Sequence, residues 1–318
     1  MKKIKLTISY DGTNYVGWQV QKNGLAVEQV INEHLTKLLK EPITVTGCSR
    51  TDSGVHALGN VAAFETETRI PAEKISYALN QSLPDDIKIV KSEEVPADFH
   101  PRYSAKTKTY EYRILNCRYC LPTERLYSEY VYYPLNVDNM IEGAKYLVGE
   151  HDFVAFSSAG GQQKTSVRNV YLLEVSAQYL NQSTGKFDSD VDKSVNAVLL
   201  TETDNKSVFN EAASGEYNSK KDAVTCEPSA AAAVDKSSRD FTPKIITIRI
   251  SGNGFLYNMV RIIAGTLIKT GLGMYPPEHV KEILDSCDRR LSAPKAAARG
   301  LTLVSIDYDN QNPQPAET

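Results

Sequence analysis

The spacing of apolar residues over the first ninety positions confines the chain to a narrow set of folds. Ile4, Leu6, Ile8 and Tyr10 alternate with Lys5, Thr7 and Ser9, the period of a half-buried strand. Val27, Val30, Ile31, Leu35, Leu38 and Leu39 then recur at helical spacing, with Pro42 just beyond. Residues 43–46 and 61–66 read as short strands joined by a polar, glycine-containing connection. Pro71 opens a second helix with the stripe Ile75, Ala78, Leu79 and Leu83, and residues 87–90 form a last strand. The order is βαββαβ, a split βαβ arrangement.

The rest of the chain echoes that order without repeating the sequence. Strands are predicted at 109–115 and 127–133, then a helix at 138–148 ended by Gly149. Strands at 169–180 and 244–250 follow, then helices at 256–270 and 277–286, and a strand at 301–308. A length of 318 residues suits two such units. The predicted fold is α+β: two ferredoxin-like, RNA-recognition-like βαββαβ units in one extended mixed sheet. Helices are expected on one side and a catalytic cleft on the other. The expected division is 1–104, carrying the aspartate loop described below, and 105–310, with 311–318 as a loose tail.

Residues 181–243 interrupt the second unit between two strands that should pair. They are rich in Ser, Asn, Asp and Ala, and they include the run Ala230, Ala231, Ala232, Ala233. Such a composition buries too little apolar surface to offset its ordering entropy, so a mostly disordered insertion at a hairpin tip is expected. Its eleven acids and seven bases give it −4, leaving +1 for the remainder of a chain whose formal charge is −3. Within that remainder Arg102, Lys106, Lys108, Arg113 and Arg118 face only Glu111 between positions 100 and 118. A local basic patch on a near-neutral body fits a phosphate-rich partner, and equally a solvated charged face. No run approaches the roughly 18 apolar residues of a membrane span. The Lys-interrupted start is unlike a signal peptide. Five cysteines, an odd number, point to a reducing cytoplasm.

Three segments could carry chemistry. Gly47-Cys48-Ser49-Arg50-Thr51-Asp52-Ser53-Gly54-Val55-His56-Ala57 is a dense polar loop between strands. A carboxylate two residues from an arginine can stay ionised while being steered, which suits a nucleophile or a base. The purely structural alternative is an Asx-turn with Asp52 capping backbone N–H groups. In Lys108-Thr109-Tyr110-Glu111-Tyr112-Arg113-Ile114, Tyr110, Tyr112 and Ile114 share one strand face and Glu111 and Arg113 the other. Tyrosines on a sheet can stack on bases beside phosphate-binding cations, although Tyr is also a favoured strand residue. In Gly252-Asn253-Gly254-Phe255-Leu256-Tyr257-Asn258-Met259-Val260-Arg261, Tyr257 replaces the third glycine of a dinucleotide loop, so no such site is expected. Arg261 lies at the rim of the stripe Leu256, Met259, Val260, Ile263 and Leu267, and a partly buried arginine needs an anion. Cys117 and Cys120 form a lone CxxC, and the five histidines make no metal-binding set.

These segments together resemble the TruA family of tRNA pseudouridine synthases. The resemblance runs from Ile4 to about Tyr308 apart from the insertion. It also includes Tyr10-Asp11-Gly12, Gly17-Trp18-Gln19, His151-Asp152-Phe153 and Ala296-Ala297-Ala298-Arg299-Gly300-Leu301-Thr302-Leu303. It implies isomerisation of uridine to pseudouridine at positions 38, 39 and 40 of tRNA, with base flipping, no cofactor, no metal and a homodimer. The resemblance maps the catalytic aspartate onto Asp52, with Arg50, Tyr110 and Arg261 beside it. Arg102, Lys106, Lys108 and Arg168 are expected to bind RNA. The alternatives are a catalytically silent RNA-binding module on the same sheet and an unrelated carboxylate hydrolase.

Overall fold

A computed structural model describes residues 1–161, 165–180, 187–188, 196–200 and 242–308. The first unit holds β1 (Lys2–Tyr10), α1 (Val27–Leu39), β2 (Thr46–Gly47), β3 (His56–Thr66), α2 (Ala72–Asn80) and β4 (Ile87–Val95). The second begins with β5 (Thr107–Asn116), β6 (Glu129–Val131), α3 (Val137–Lys145), β7 (Gly149–Asp152) and β8 (Val167–Leu180). It continues through β9 (Phe187–Asp188), β10 (Asn196–Leu200), β11 (Lys244–Gly252), α4 (Met259–Gly271), α5 (His279–Ser286) and β12 (Leu301–Asp307).

The strands form one mixed sheet whose main path runs β10-β8-β11-β5-β12-β3-β1-β4. In each unit the last strand flanks the first, which flanks the third: β4-β1-β3-β2 and β12-β5-β11-β8. The units join where β12 runs parallel to β3 at Thr302↔His56 and Leu303↔Ala57. Further along β3, at Ala62 and Ala63, the neighbour is the two-residue β2. The chain leaving β2 therefore emerges at the seam between the units, and that segment carries Asp52.

Register decides which face the site occupies. Ile250, Ile248 and Ile246 of β11 lie opposite Tyr110, Tyr112 and Ile114 of β5. Tyr112, Ile114 and these isoleucines are buried in one cluster with Met140 and Ile141 of α3 and Ile263 and Leu267 of α4. Across the seam, Leu303 and Ala57 belong to the cluster under α1 and α2, and Tyr110 packs against both clusters. Helices α1 to α5 thus cover one face, as expected, but the cleft opens on that same face. The expectation of a cleft on the opposite face is corrected, because Tyr110 has the parity of the buried Tyr112. The other face carries a polar row in which Arg249 of β11 lies opposite Glu111 on one side and Glu174 on the other.

Further differences are local. β6 is shorter than predicted and pairs parallel to β5, while β7, with no apolar alternation, pairs with β8. Within 181–243, β9 and β10 pair antiparallel to β8, so part of the expected disordered insertion is sheet. The apolar run Ala197-Val198-Leu199-Leu200 explains β10, and the surrounding polar composition masked it. The remainder of the expected insertion up to 241, residues 162–164 and the tail from 309 lie outside the described residues. Among the described residues no helix is long and apolar enough to cross a membrane.

Candidate active site

Asp52 lies in the 48–55 connection, and two short motifs near the N-terminus hold that connection in shape. Tyr10 Oη lies 2.7 Å from Thr51 Oγ1, and Trp18 N donates to Thr51 O at 3.0 Å. Asn60 Nδ2 donates to Ser49 O at 3.2 Å, and Ser53 Oγ donates to Tyr15 O at 3.2 Å. The approach is close enough to demand glycine. Gly17 has φ +109°, and a Cβ there would stand 2.5 Å from Thr51 O. At Gly12 a Cβ would stand 2.0 Å from Val55 O. The Tyr10-Asp11-Gly12 and Gly17-Trp18 motifs thus act as a cradle for the aspartate loop. The loop does not fold as a free-standing Asx-turn.

Arg261 reaches Asp52 from the other unit. α4 is buried almost all round, including Met259, Val260, Ile262, Ile263 and Ala264. A helix of that kind belongs in a core, yet it carries an arginine that is only 8% exposed. Removing such a charge from water costs several kcal/mol unless it is paired and hydrogen-bonded. Three acceptors meet the requirement. Arg261 Nη1 donates to Asp52 Oδ2 at 3.0 Å and to Asn258 Oδ1 at 3.1 Å, and Nε donates to Ala296 O at 2.9 Å. Asn258 precedes α4 with φ +61°, a left-handed conformation asparagine tolerates. Its amide also donates to Ser158 Oγ at 3.1 Å. Gly265 lets α4 pass beneath residue 294, since a Cβ there would lie 2.2 Å from Pro294 O.

Tyr110 completes the group. Its ring meets Phe255 edge-on, with centroids 5.2 Å apart. Burial pushes its hydroxyl well above the ordinary tyrosine range, a hydrogen bond with Ser49 opposes this, and the charge of Asp52 adds to it. The phenol is therefore protonated at neutral pH and can donate or hold a proton. Lys108 Nζ donates to Ser49 Oγ at 3.0 Å and to Cys48 O at 3.3 Å, tying β5 to the aspartate loop.

These side chains line one cleft of about 840 Å³, shared by Arg50, Asp52, Arg102, Lys108, Tyr110 and Arg261. Of the other expected RNA-binding residues, Lys106 is exposed beside β5 outside the lining, and Arg168 packs near Gly254 with its guanidinium half-buried. Burial lowers the pKa of Arg168 below the usual arginine value. Asn258, Phe255 and the Ala296 carbonyl are site groups that the sequence did not single out. Asn258 lies inside the predicted 256–270 helix, and the structure instead starts the helix at Met259 with Asn258 as its N-cap. Among the described residues no group of His, Cys, Asp and Glu is arranged to hold a metal ion.

The geometry can steer an ionised carboxylate against a bound ring, supply a phenol, and surround both with cations. The chain resembles known proteins over nearly its whole length. A family model described as tRNA pseudouridine synthase matches residues 6–104 and 144–309. A protein of Ruminiclostridium cellulolyticum named tRNA pseudouridine synthase A is 43% identical over 308 residues, 97% of this chain and 100% of the relative. One of Thermoanaerobacter sp. with the same name is 38% identical over the same shares of both chains. A Clostridium perfringens protein named tRNA pseudouridine synthase A 2 is also 38% identical over those shares.

Proposed function

The chain belongs to the tRNA pseudouridine synthase family, and on that premise we propose that it isomerises uridine to pseudouridine in tRNA with Asp52 as the reacting carboxylate. The targets are uridines 38, 39 and 40, at the base of the anticodon stem-loop, and the working form is a cytoplasmic homodimer. The reaction breaks the bond from C1′ to N1 of uracil, turns the ring, and forms a bond from C1′ to C5. The proton on C5 is lost and N1 gains one, so the product is an isomer and no redox change occurs. The observation that carries the reading is the Asp52–Arg261 ion pair beside Tyr110 in a cation-lined cleft.

Each residue has a task that its position supports. A base stacked in a helix must be extruded before its glycosidic bond is accessible. Arg50, exposed on the cleft wall beside Asp52, helps extrude the nucleotide or hold its phosphate. Tyr110 packs on the flipped ring and keeps a protonated hydroxyl near it. Arg261 holds one oxygen of Asp52, fixing the direction in which the carboxylate meets the nucleoside. Arg102 and Lys108 bring positive charge to the mouth and wall of the cleft, while Lys106 and Arg168 extend it along the surface. Phosphate contacts of this kind dominate RNA affinity and weaken as salt rises.

Purified protein incubated with tRNA tritiated at uridine C5 is expected to release tritium without an added cofactor. Tight binding with no release supports a silent RNA-binding module instead. Tyr110→Phe is expected to bind tRNA normally and turn over slowly, because the ring remains and the hydroxyl is gone. Tyr110→Ala is expected to weaken productive binding as well, by the ~1–3 kcal/mol of a base–aromatic stack. Equal, near-wild-type single-turnover rates in both variants exclude Tyr110 from the reaction.

A further inference from the structure

The Arg261 guanidinium is aimed by a backbone carbonyl, and that carbonyl belongs to the irregular stretch 293–297, just ahead of the 3-10 turn Ala298–Gly300. Ala296 O accepts from Arg261 Nε at 2.9 Å, and Ala296 N donates to Arg261 O at 3.0 Å. The next residue is gripped from the sheet. Glu129 of β6 accepts from Ala297 N through Oε2 at 2.9 Å. Tyr112 Oη lies 2.9 Å from Ala297 O and 3.3 Å from the same Glu129 oxygen. Tyr112 Oη thus donates to both acceptors, so the hydroxyl and the Glu129 carboxylate grip the 297 backbone together. Arg299 Nε donates to Ser128 O at 3.2 Å, fastening the far end of the segment to the residue before Glu129. Ala298 lies against Gly54 of the aspartate loop, 3.4 Å from where a Cβ on that glycine would sit.

We propose that Glu129 is a positioning residue for the reaction: through the Ala297 N–H it fixes the Ala296 carbonyl, which orients Arg261 and thereby Asp52. The inference rests on Asp52 being the reacting carboxylate. Glu129 does not line the cleft, so its effect reaches the nucleoside only through this chain of bonds. A local hydrogen-bond role asks only for an acceptor at its position. Glutamine therefore substitutes for it and alanine does not. Displacement of a catalytic group by about 1 Å costs ~10²-fold in rate, so a relaxed 296–298 segment is read in turnover before it is read in binding.

The test compares Glu129→Ala, Glu129→Gln and Tyr112→Phe with wild type. Single-turnover pseudouridine formation, tRNA affinity, melting temperature and solvent exchange of the Arg261 Nε–H are measured. The Nε–H signal in a 15N–1H spectrum is assigned by its loss in Arg261→Lys. Glu129→Ala is expected to slow turnover by ~10–100-fold, with tRNA affinity within about twofold and ~10-fold faster Nε–H exchange. Glu129→Gln is expected to stay within about threefold of wild type on every measure. If Glu129→Ala does not fold, Tyr112→Phe reads the same segment from its other bond, with slower turnover at unchanged affinity expected. Wild-type exchange and turnover in folded Glu129→Ala overturn the proposal, as does equal impairment in Glu129→Gln or a rate loss matched by lost affinity. A wild-type protein that forms no pseudouridine defeats the functional reading, and the exchange rates still decide whether Glu129 positions Arg261.

Discussion

Asp52→Asn is expected to abolish pseudouridine formation while leaving folding and tRNA binding in place. The substitution keeps the size of the side chain and its capacity to accept a hydrogen bond. Arg261 Nη1 can still donate to the amide oxygen at the 3.0 Å distance it now spans. The loop's own bonds run through Thr51, Ser49 and Ser53 and do not use the Asp52 side chain. What disappears is the charge, and an amide is neither a competent nucleophile nor a base at neutral pH. Affinity is expected to hold within about threefold, because phosphate contacts by lysine and arginine set most of it. It can rise slightly, since one negative charge facing the RNA has gone. Filter retention measures binding, and single-turnover assays measure product. A rate comparable to wild type would return Asp52 to a purely structural role and remove the basis of the mechanism.

Much of this site is legible in the sequence, and the exceptions share a cause. Asp52 and Arg50 announce themselves by lying two apart in a polar, glycine-flanked loop between strand patterns. Arg261 does so by interrupting the rim of an apolar helical stripe that demands an anion. Their pairing across 209 residues is not a local property. It depends on β12 inserting between β5 and β3, which brings the start of α4 over the seam. The facing of the cleft is not a local property either. Alternation along β5 separates Tyr110, Tyr112 and Ile114 from Glu111 and Arg113, but only the packing of Tyr112 under α3 and α4 tells which set meets the helices. The carbonyl of Ala296 carries no side-chain signal at all. β10 is hidden because a four-residue apolar run is averaged away in a long polar segment.

Arg261→Lys separates orientation from charge. Lysine keeps a positive charge near Asp52, so an ion pair that serves only to neutralise a half-buried carboxylate survives the change. The planar fork does not survive it. Arg261 spends Nε on Ala296 O and Nη1 on both Asn258 Oδ1 and Asp52 Oδ2, three contacts in a geometry fixed by the guanidinium plane. An ammonium group on a shorter, flexible stem cannot meet all three at once. Turnover is therefore expected to fall by ~10²-fold, the scale of a 1 Å misplacement, at nearly unchanged tRNA affinity. Arg261→Met goes further by leaving Asp52 without its partner. Breaking a fully buried pair costs ~3–5 kcal/mol. Asp52 keeps 24% of its side chain exposed, so water screens part of the loss and about 2 kcal/mol is expected. That is a fall of several degrees in melting temperature. If Arg261→Lys turns over at the wild-type rate, orientation is not what Arg261 contributes. If Arg261→Met melts with wild type, the ion pair adds nothing to the fold and its place beside Tyr110 is functional alone.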